Sequence, residues 1–284
     1  MINKKVLILG SKGMLGNYVY KYLNEKGFFP DTLNRPEFDA MNSKIKDLLN
    51  LEKIKNLKKG DILINCIGLL PHLFNDNSIA NRGSDNENYQ KYILINSILP
   101  NNLEKLKIIK SIEVINITSD CVFSGNRGNY KESDNPDYKW AYGITKAAGE
   151  GSLICNIRSS IIGEEKKSKR ALLEWVKGNR NGSIKGFTNY FWNGVTCLEM
   201  SKYIEYIIKN EYFWEGVRHL YSPTTLSKYE LVNLINKHFD LNITVKKYQL
   251  SKKIDRTLGS DFKLNYVIPE ISDQIKEISK FDYE

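Results

Sequence analysis

The chain is expected to fold as a doubly wound α/β protein built on a parallel sheet, and three observations predict this. Short apolar runs alternate with amphipathic helical patterns along most of its 284 residues. The first run, Val6-Leu7-Ile8-Leu9, leads into the turn Gly10-Ser11-Lys12-Gly13-Met14-Leu15-Gly16, and Val19, Tyr22 and Leu23 then follow at helical spacing. A later run, Val114-Ile115-Asn116-Ile117, leads to Ser119, a hydroxyl at a strand's carboxyl end, where open α/β sheets carry ligand contacts.

The first turn has the strand–glycine–helix setting that phosphate binding needs. Gly10 permits the tight turn, Gly13 lets the backbone approach a pyrophosphate, and Gly16 lets the helix pack close to the sheet. The helix N-terminus then favours the anion. Gly10, Lys12, Gly13, Met14, Leu15 and Gly16 are therefore candidate cofactor contacts, although the spacing G-x-x-G-x-x-G is a variant of the usual fingerprint.

Phe28 to Leu33 is expected to form the second strand. No acidic residue closes it to hold a ribose 2′-hydroxyl; Asn34 and Arg35 stand there instead. An arginine accommodates a 2′-phosphate, which tilts the cofactor toward NADP, with NADPH preferred over NADH. Asp39 is a further candidate for adenosine contact. Ile45 to Ile54 suggests a helix, and Asp61 to Gly68 the next buried strand, with Gly68 small enough for a dinucleotide to lie over its end. Leu69 to Asn88 is long and irregular, and is expected to be a flap at the site mouth. Tyr89 to Leu106 reads as a helix carrying Asn96, Glu113 to Ile117 as a strand, Lys139 to Gly149 as a helix, and Leu153 to Ile162 as another buried strand.

After Gly163 the texture changes. A short helix is expected at Leu172–Val176, turns at Gly186–Asn189 and Asn193–Thr196, and a helix at Met200–Ile208. A short strand is expected at Leu220-Tyr221, a helix at Tyr229–Phe239, a strand at Ile243–Tyr248 and a last helix at Ile271–Ile278. Residues 1–162 are thus expected to form a dinucleotide-binding domain. Residues 163–284 mainly form a small α/β substrate lobe, interleaved with it, that returns one strand to the sheet.

Tyr142-Gly143-Ile144-Thr145-Lys146 places a phenol and an ammonium on one helix face. An ammonium nearby lowers a phenol's pKa, and such a tyrosine exchanges a proton with a sugar oxygen near neutral pH. In a chain with 17 tyrosines the pattern alone also fits a solvated helix face. It gains weight from the glycine turn and from Ser119.

Composition narrows the classes. The formal net charge is +9, but no nucleic-acid recognition module or dense basic run accompanies it, so a lysine-rich solvated surface accounts for it. Cys66, Cys121, Cys155 and Cys197 are widely spaced, and with the three histidines they offer neither a disulfide framework nor a metal site. No apolar run approaches the ~20 residues that span a bilayer. A cytoplasmic protein without metal, membrane or nucleic-acid partner is expected.

Together these residues resemble the extended short-chain dehydrogenase/reductase superfamily, whose cofactor domain is the Rossmann fold. Ile117-Thr118-Ser119-Asp120-Cys121-Val122-Phe123-Ser124-Gly125, Gly128-Asn129-Tyr130-Lys131-Glu132, and Tyr142-Gly143 with Lys146 to Glu150 narrow the likeness to the dTDP-4-dehydrorhamnose reductase family. Asn65-Cys66, Asn96, and Ile254-Asp255-Arg256-Thr257-Leu258 with Ser260 extend it across most of the chain. The resemblance implies an NAD(P)H-dependent reductase of a nucleotide-linked 4-keto-6-deoxy sugar, serving deoxysugar biosynthesis for surface polysaccharide. It implies that Tyr142 donates the proton, that Ser119 bonds the same oxygen, and that Lys146 holds the nicotinamide ribose. Cys66, Ile67, Gly68 and Asn96 join the cofactor contacts, and Asp120, Cys121, Trp192 and Arg256 join Ser119 toward the substrate. A homodimer is left open.

The sequence departs from the family at Ser119, where threonine is usual, at Cys121, where a tyrosine lies near the substrate, and in the stretches Leu69–Asn88 and Gly186–Asn193. Fold and cofactor chemistry therefore carry over better than the identity of the sugar. An epimerase or dehydratase of the same superfamily remains a rival, because Asp120 follows the hydroxyl. So does a non-catalytic NADP-binding regulatory subunit, since this fold also serves as the β subunit of methionine adenosyltransferase.

Overall fold

The computed structural model describes residues 4–71, 86–166 and 170–282. The first half contains β1 (Val6–Leu9), α1 (Met14–Glu25), β2 (Asp31–Leu33), α2 (Ile45–Asn50), α3 (Glu52–Lys55), β3 (Ile62–Asn65), α4 (Asn86–Tyr92), α5 (Leu99–Lys110), β4 (Glu113–Ser119), α6 (Ala141–Ala148) and β5 (Cys155–Ser159). The second contains β6 (Ile161–Ile162), α7 (Leu172–Lys177), β7 (Ser183–Phe187), β8 (Tyr190–Trp192), β9 (Val195–Thr196), α8 (Cys197–Lys209) and β10 (Gly216–His219). It continues with β11 (Leu226–Ser227), α9 (Lys228–His238), β12 (Thr244–Tyr248), β13 (Ile254–Asp255) and α10 (Ile271–Ile278).

Six parallel strands form the central sheet in the order β10-β5-β4-β3-β1-β2. Successive side chains face opposite layers, as the strand period of two requires. Val6, Ile8, Ile62, Ile64, Ile115 and Ile117 meet α1 and α8 on one face. Leu7, Leu9, Leu63 and Val114 meet Leu48, Leu99, Leu103 and Leu106 on the other. Both faces are covered, which is why these strands read as unbroken apolar runs. The order reverses between β1 and β3, and ligands of open α/β sheets bind beyond the carboxyl ends of the strands at such a switch point.

Polar residues also cross the buried sheet. Asn65, Asn116 and Asn156 stand opposite one another on β3, β4 and β5. Asn65 donates to Asn116 and Asn116 to Asn156, each at 2.9 Å. Asn116 also reaches the Gly149 carbonyl at 3.3 Å, tying the sheet to the end of α6. Nearby, Arg158 pairs with Glu150 at 2.5 Å and donates to His219 at 3.0 Å, and the His219 ring is anchored on the Gly259 carbonyl.

Several boundaries differ from expectation. The second strand is short because Phe29 adopts a left-handed φ of 47° and Pro30 lacks an N–H, while Phe28 bonds back to Leu23 of α1. The expected Tyr89–Leu106 helix starts earlier, at Asn86, runs to Lys110 and contains a π-helical turn over Ile93–Ile98. The expected strand Leu153–Ile162 divides: β5 stays in the central sheet, Ser160 accepts from Val195, and Ile161–Ile162 pairs with β9. The strand expected at Leu220-Tyr221 lies earlier, at Gly216–His219, and is the one the second half returns to the sheet. Of the expected flap, residues 72–85 lie outside the described residues.

The stretches read as turns, Gly186–Asn189 and Asn193–Thr196, hold parts of short strands whose partners are distant in sequence: β7 with β12, and β9 with β6. β8 lies between β11 and β13. Ile184, Trp192, Leu231, Ile235 and Ile275 gather into a separate core for this lobe. No helix among the described residues is long and apolar enough to cross a membrane.

Candidate active site

A cavity of about 710 Å³ opens at the carboxyl ends of the central strands. One wall is the glycine turn. Gly10 has a φ of +81°, and a β-carbon on Gly16 would stand 2.1 Å from the Gly10 carbonyl oxygen, so both positions need glycine. Gly13 caps α1 without a side-chain bond, and no acidic residue occupies the first turn of that helix. The resulting N-terminus lines the cavity with Lys12, Gly13, Met14 and Leu15, and its free N–H groups suit an anion. Asn34 braces the turn, donating to Ser11 Oγ at 2.8 Å and accepting from the Lys12 N–H at 3.1 Å.

Of the expected cofactor contacts, Gly10, Gly16 and Asn34 stand behind the lining residues of the glycine turn, and Arg35, Asp39 and Asn96 are not among the cavity's lining residues. Arg35 is 74% exposed, faces Asp39 across 3.7 Å, and is not among the cavity's lining residues. Asp39 accepts from the Met41 N–H and caps a short helical turn. Both residues belong to the turn region after β2, and their side chains reach solvent. Asn96 is likewise not a lining residue: its amide grips the Leu69 backbone, accepting at 2.9 Å and donating at 3.0 Å. It holds the chain where β3 runs into the residues after Gly68.

The second wall joins β3, β4 and α6. Cys66, Ile67 and Gly68 line it, as do Ser119, Asp120, Cys121, Tyr142 and Lys146. β4 ends at Ser119, whose Oγ accepts from the Cys121 N–H at 3.1 Å and lies 3.2 Å from Asp120 Oδ1. Lys146 is 8% exposed and donates to the Ile117 carbonyl at 3.2 Å. Burial lowers its ammonium to about 8, with Glu150 and Cys66 opposing.

The phenol of Tyr142 departs from expectation. Burial raises it well above its ordinary value, and Cys121 adds to this while the hydrogen bond with Ser119 opposes. Proximity at i and i+4 does not lower it here, because the Lys146 ammonium is directed at a backbone carbonyl and desolvation is the larger effect. The phenol is therefore held in its protonated, donating form. Tyr92 packs edge-on against its ring at 6.2 Å.

The third wall comes mainly from the second half, with Tyr138 contributed by the first. Trp192 and Arg256 line it as expected, joined by Tyr138 and Lys228, which sequence reasoning missed. Arg256 donates to Tyr190 at 3.0 Å, lies 3.9 Å from Cys121 Sγ and stacks over Tyr138. Burial raises the Asp120 carboxyl despite Arg256 and Lys228, and lifts the Cys121 thiol to about 12. One sequence signal marks Lys228: Ser227 and Glu230 form a capping box around it, placing a lysine at the first position of a helix.

A family model described as the RmlD substrate binding domain matches residues 4–162. The chain is 26% identical over 267 residues to the methionine adenosyltransferase 2 subunit beta of Xenopus laevis, which covers 84% of this chain and 73% of that one. A dTDP-4-dehydrorhamnose reductase of Clostridium acetobutylicum superposes with a TM-score of 0.74 at 19% identity, covering 96% of this chain and 98% of that one. The dTDP-4-dehydrorhamnose reductase of Bacillus anthracis, solved in complex with NADP, gives 0.76 at 16% identity, covering 97% and 98%. At these identities the structural likeness establishes the fold.

Proposed function

Because the chain belongs to the RmlD substrate binding domain family, we propose that it is an NADP-dependent reductase of a nucleotide-linked keto sugar. The observation that carries this reading is that Ser119, Tyr142 and Lys146 line the same cavity as the glycine turn. The cradle fits a dinucleotide: Gly13 and the bare N-terminus of α1 suit the pyrophosphate, and Gly68 leaves the end of β3 open. Bound there, the nicotinamide would supply the hydride.

The chain's own residues do the rest. Ser119 and Tyr142 direct their hydroxyls at the ketone oxygen, and the buried phenol gives up its proton as negative charge develops there. Lys146 holds the nicotinamide ribose and offers a positive charge beside the departing proton. The Trp192 and Arg256 wall holds the nucleotide-linked part of the substrate. A 4-keto-6-deoxy sugar is the substrate of first choice, within deoxysugar biosynthesis.

The test is loss of NADPH absorbance with a panel of 4-keto sugar nucleotides, the products being identified by NMR. Turnover with none of them would defeat the reading. A second reading, a non-catalytic NADP-binding subunit, is favoured by the likeness to methionine adenosyltransferase 2 subunit beta. It predicts tight NADPH binding without turnover, and a partner protein retained through purification.

A further inference from the structure

We propose that Lys228, with Arg256 beside it, forms an oxyanion-binding subsite over Trp192 that takes an anionic group of the substrate. The nature of the substrate rests on the reductase reading; the subsite itself does not.

Lys228 lines the cavity with its ammonium 4.9 Å from the Trp192 ring centroid and 5.6 Å from that of Tyr190. Aromatic faces attract the charge, yet the ammonium has no hydrogen bond or ion pair among the described residues. Three N–H donors are thus left without an oxygen acceptor. Lys228 is also the first residue of α9, where the helix dipole disfavours a cation. Arg256 adds a second positive charge, and its buried Nε has no partner either. Among the described residues, the carboxylate that opposes Lys228 is Asp120, which burial pushes toward its neutral form.

A cavity end with this excess of positive charge and open donors is costly when empty. An entering oxyanion answers both the charge and the donors. Phosphate oxygens of a nucleoside diphosphate and a carboxylate on the sugar have the same chemistry, and both are reachable in a nucleotide sugar.

Calorimetry on the full chain tests this with dTDP, UDP and GDP in one arm and D-glucuronate in the other, with NADPH as the control. Removing a charged hydrogen-bond donor should weaken the anion by at least ~10-fold. Lys228→Met should therefore lose affinity for an anion while keeping NADPH affinity, and Lys228→Arg should retain both. Loss in the diphosphate arm identifies phosphate as the group held, and loss only with glucuronate identifies a carboxylate. No binding of any anion by the parent, or equal binding in Lys228→Met, overturns the subsite. So does parallel loss of NADPH, which would mean a general disturbance. None of these readouts needs turnover, so an inactive protein with Lys228-dependent anion binding would sink the reductase reading and leave the subsite standing.

Discussion

The ammonium of Lys146 lies 2.9 Å from where a β-carbon on Gly68 would stand, so a methyl group there would push the ammonium aside. Gly68 does not hold a left-handed backbone, and the atom in its way is the tip of a flexible side chain. Gly68→Ala should therefore leave stability within about 1 kcal/mol. It should displace Lys146, and turnover of a 4-keto sugar nucleotide should fall ~10-fold or more, since small misplacements near reacting groups are expensive. Urea denaturation and NADPH oxidation check the two halves. Unchanged turnover would mean that the position of Lys146 does not matter to the reaction.

Arg35 tests cofactor choice. Its guanidinium is exposed and only loosely opposed by Asp39, so it is free to turn toward a 2′-phosphate. Arg35→Ala should weaken NADPH by ~10-fold while leaving NADH nearly unchanged, as loss of one charged contact predicts. Calorimetry with both cofactors decides; equal effects would pass the role to another group, with Lys12 on the glycine turn the next to substitute.

The parts of the site that were legible in the sequence are local. The glycine turn, Ser119 at the end of β4, and the pair Tyr142 and Lys146 each depend on spacing within one strand, turn or helix. Lys228, Tyr138 and Tyr190 were not legible, because β8, β13 and the start of α9 come together through pairings between distant segments. In a lysine-rich chain, Lys228 looks like any surface lysine. Chemistry was harder to read than position: Tyr142 and Lys146 share a wall as their spacing implies, but burial reverses the expected shift of the phenol. The strands missed or misplaced after Gly163 are only two to five residues long and pair with distant segments, so they leave little period in the sequence.

Glu150 and Arg158 bear first on stability, although Glu150 also favours the charged form of Lys146. The pair is nearly fully buried, and Arg158 also packs over Phe123 at 4.9 Å. Glu150→Gln leaves the guanidinium charge without its counter-ion in the interior. Breaking a buried pair in this way costs about 3–5 kcal/mol. A drop of that size in urea denaturation is expected, and a loss below about 1 kcal/mol would mean that Arg158 finds water or another acceptor.

Lys228 should show the opposite sign. Burial, reinforced by Arg256 and opposed by Asp120 and Cys121, lowers its ammonium to about 8, against about 10.4 in an unfolded chain. The unfolded state therefore binds the proton more tightly, and the charge destabilises the fold fully below pH ~8. That penalty fades as pH rises from ~8 to ~10.4. Lys228→Met should raise stability at pH 7 by roughly 1–3 kcal/mol, and the gain should shrink at pH 10. Denaturation at the two pH values checks this, and a destabilised variant at pH 7 would show that the ammonium is well solvated.

Tyr142 carries the chemical reading. Its phenol is buried and held protonated through the neutral range, which is the form a proton donor needs. Tyr142→Phe keeps the ring, its contact with Tyr92 and the course of α6, so stability and NADPH affinity should stay near those of the parent. Turnover should fall by at least ~100-fold, since a general acid contributes a factor of ~100 to ~10,000. Lys146→Met should differ, lowering turnover and cofactor affinity together. Because the Lys146 ammonium titrates at about 8 before cofactor binds, kcat/KM in the parent should decline as pH rises past that value. A Tyr142→Phe enzyme that turns over at the parental rate would remove the phenol from the reaction, and the proton would have to reach the ketone oxygen by way of Ser119. If the parent binds NADPH but turns over no keto sugar, Tyr142→Phe has no rate to lower, and the regulatory-subunit reading takes precedence.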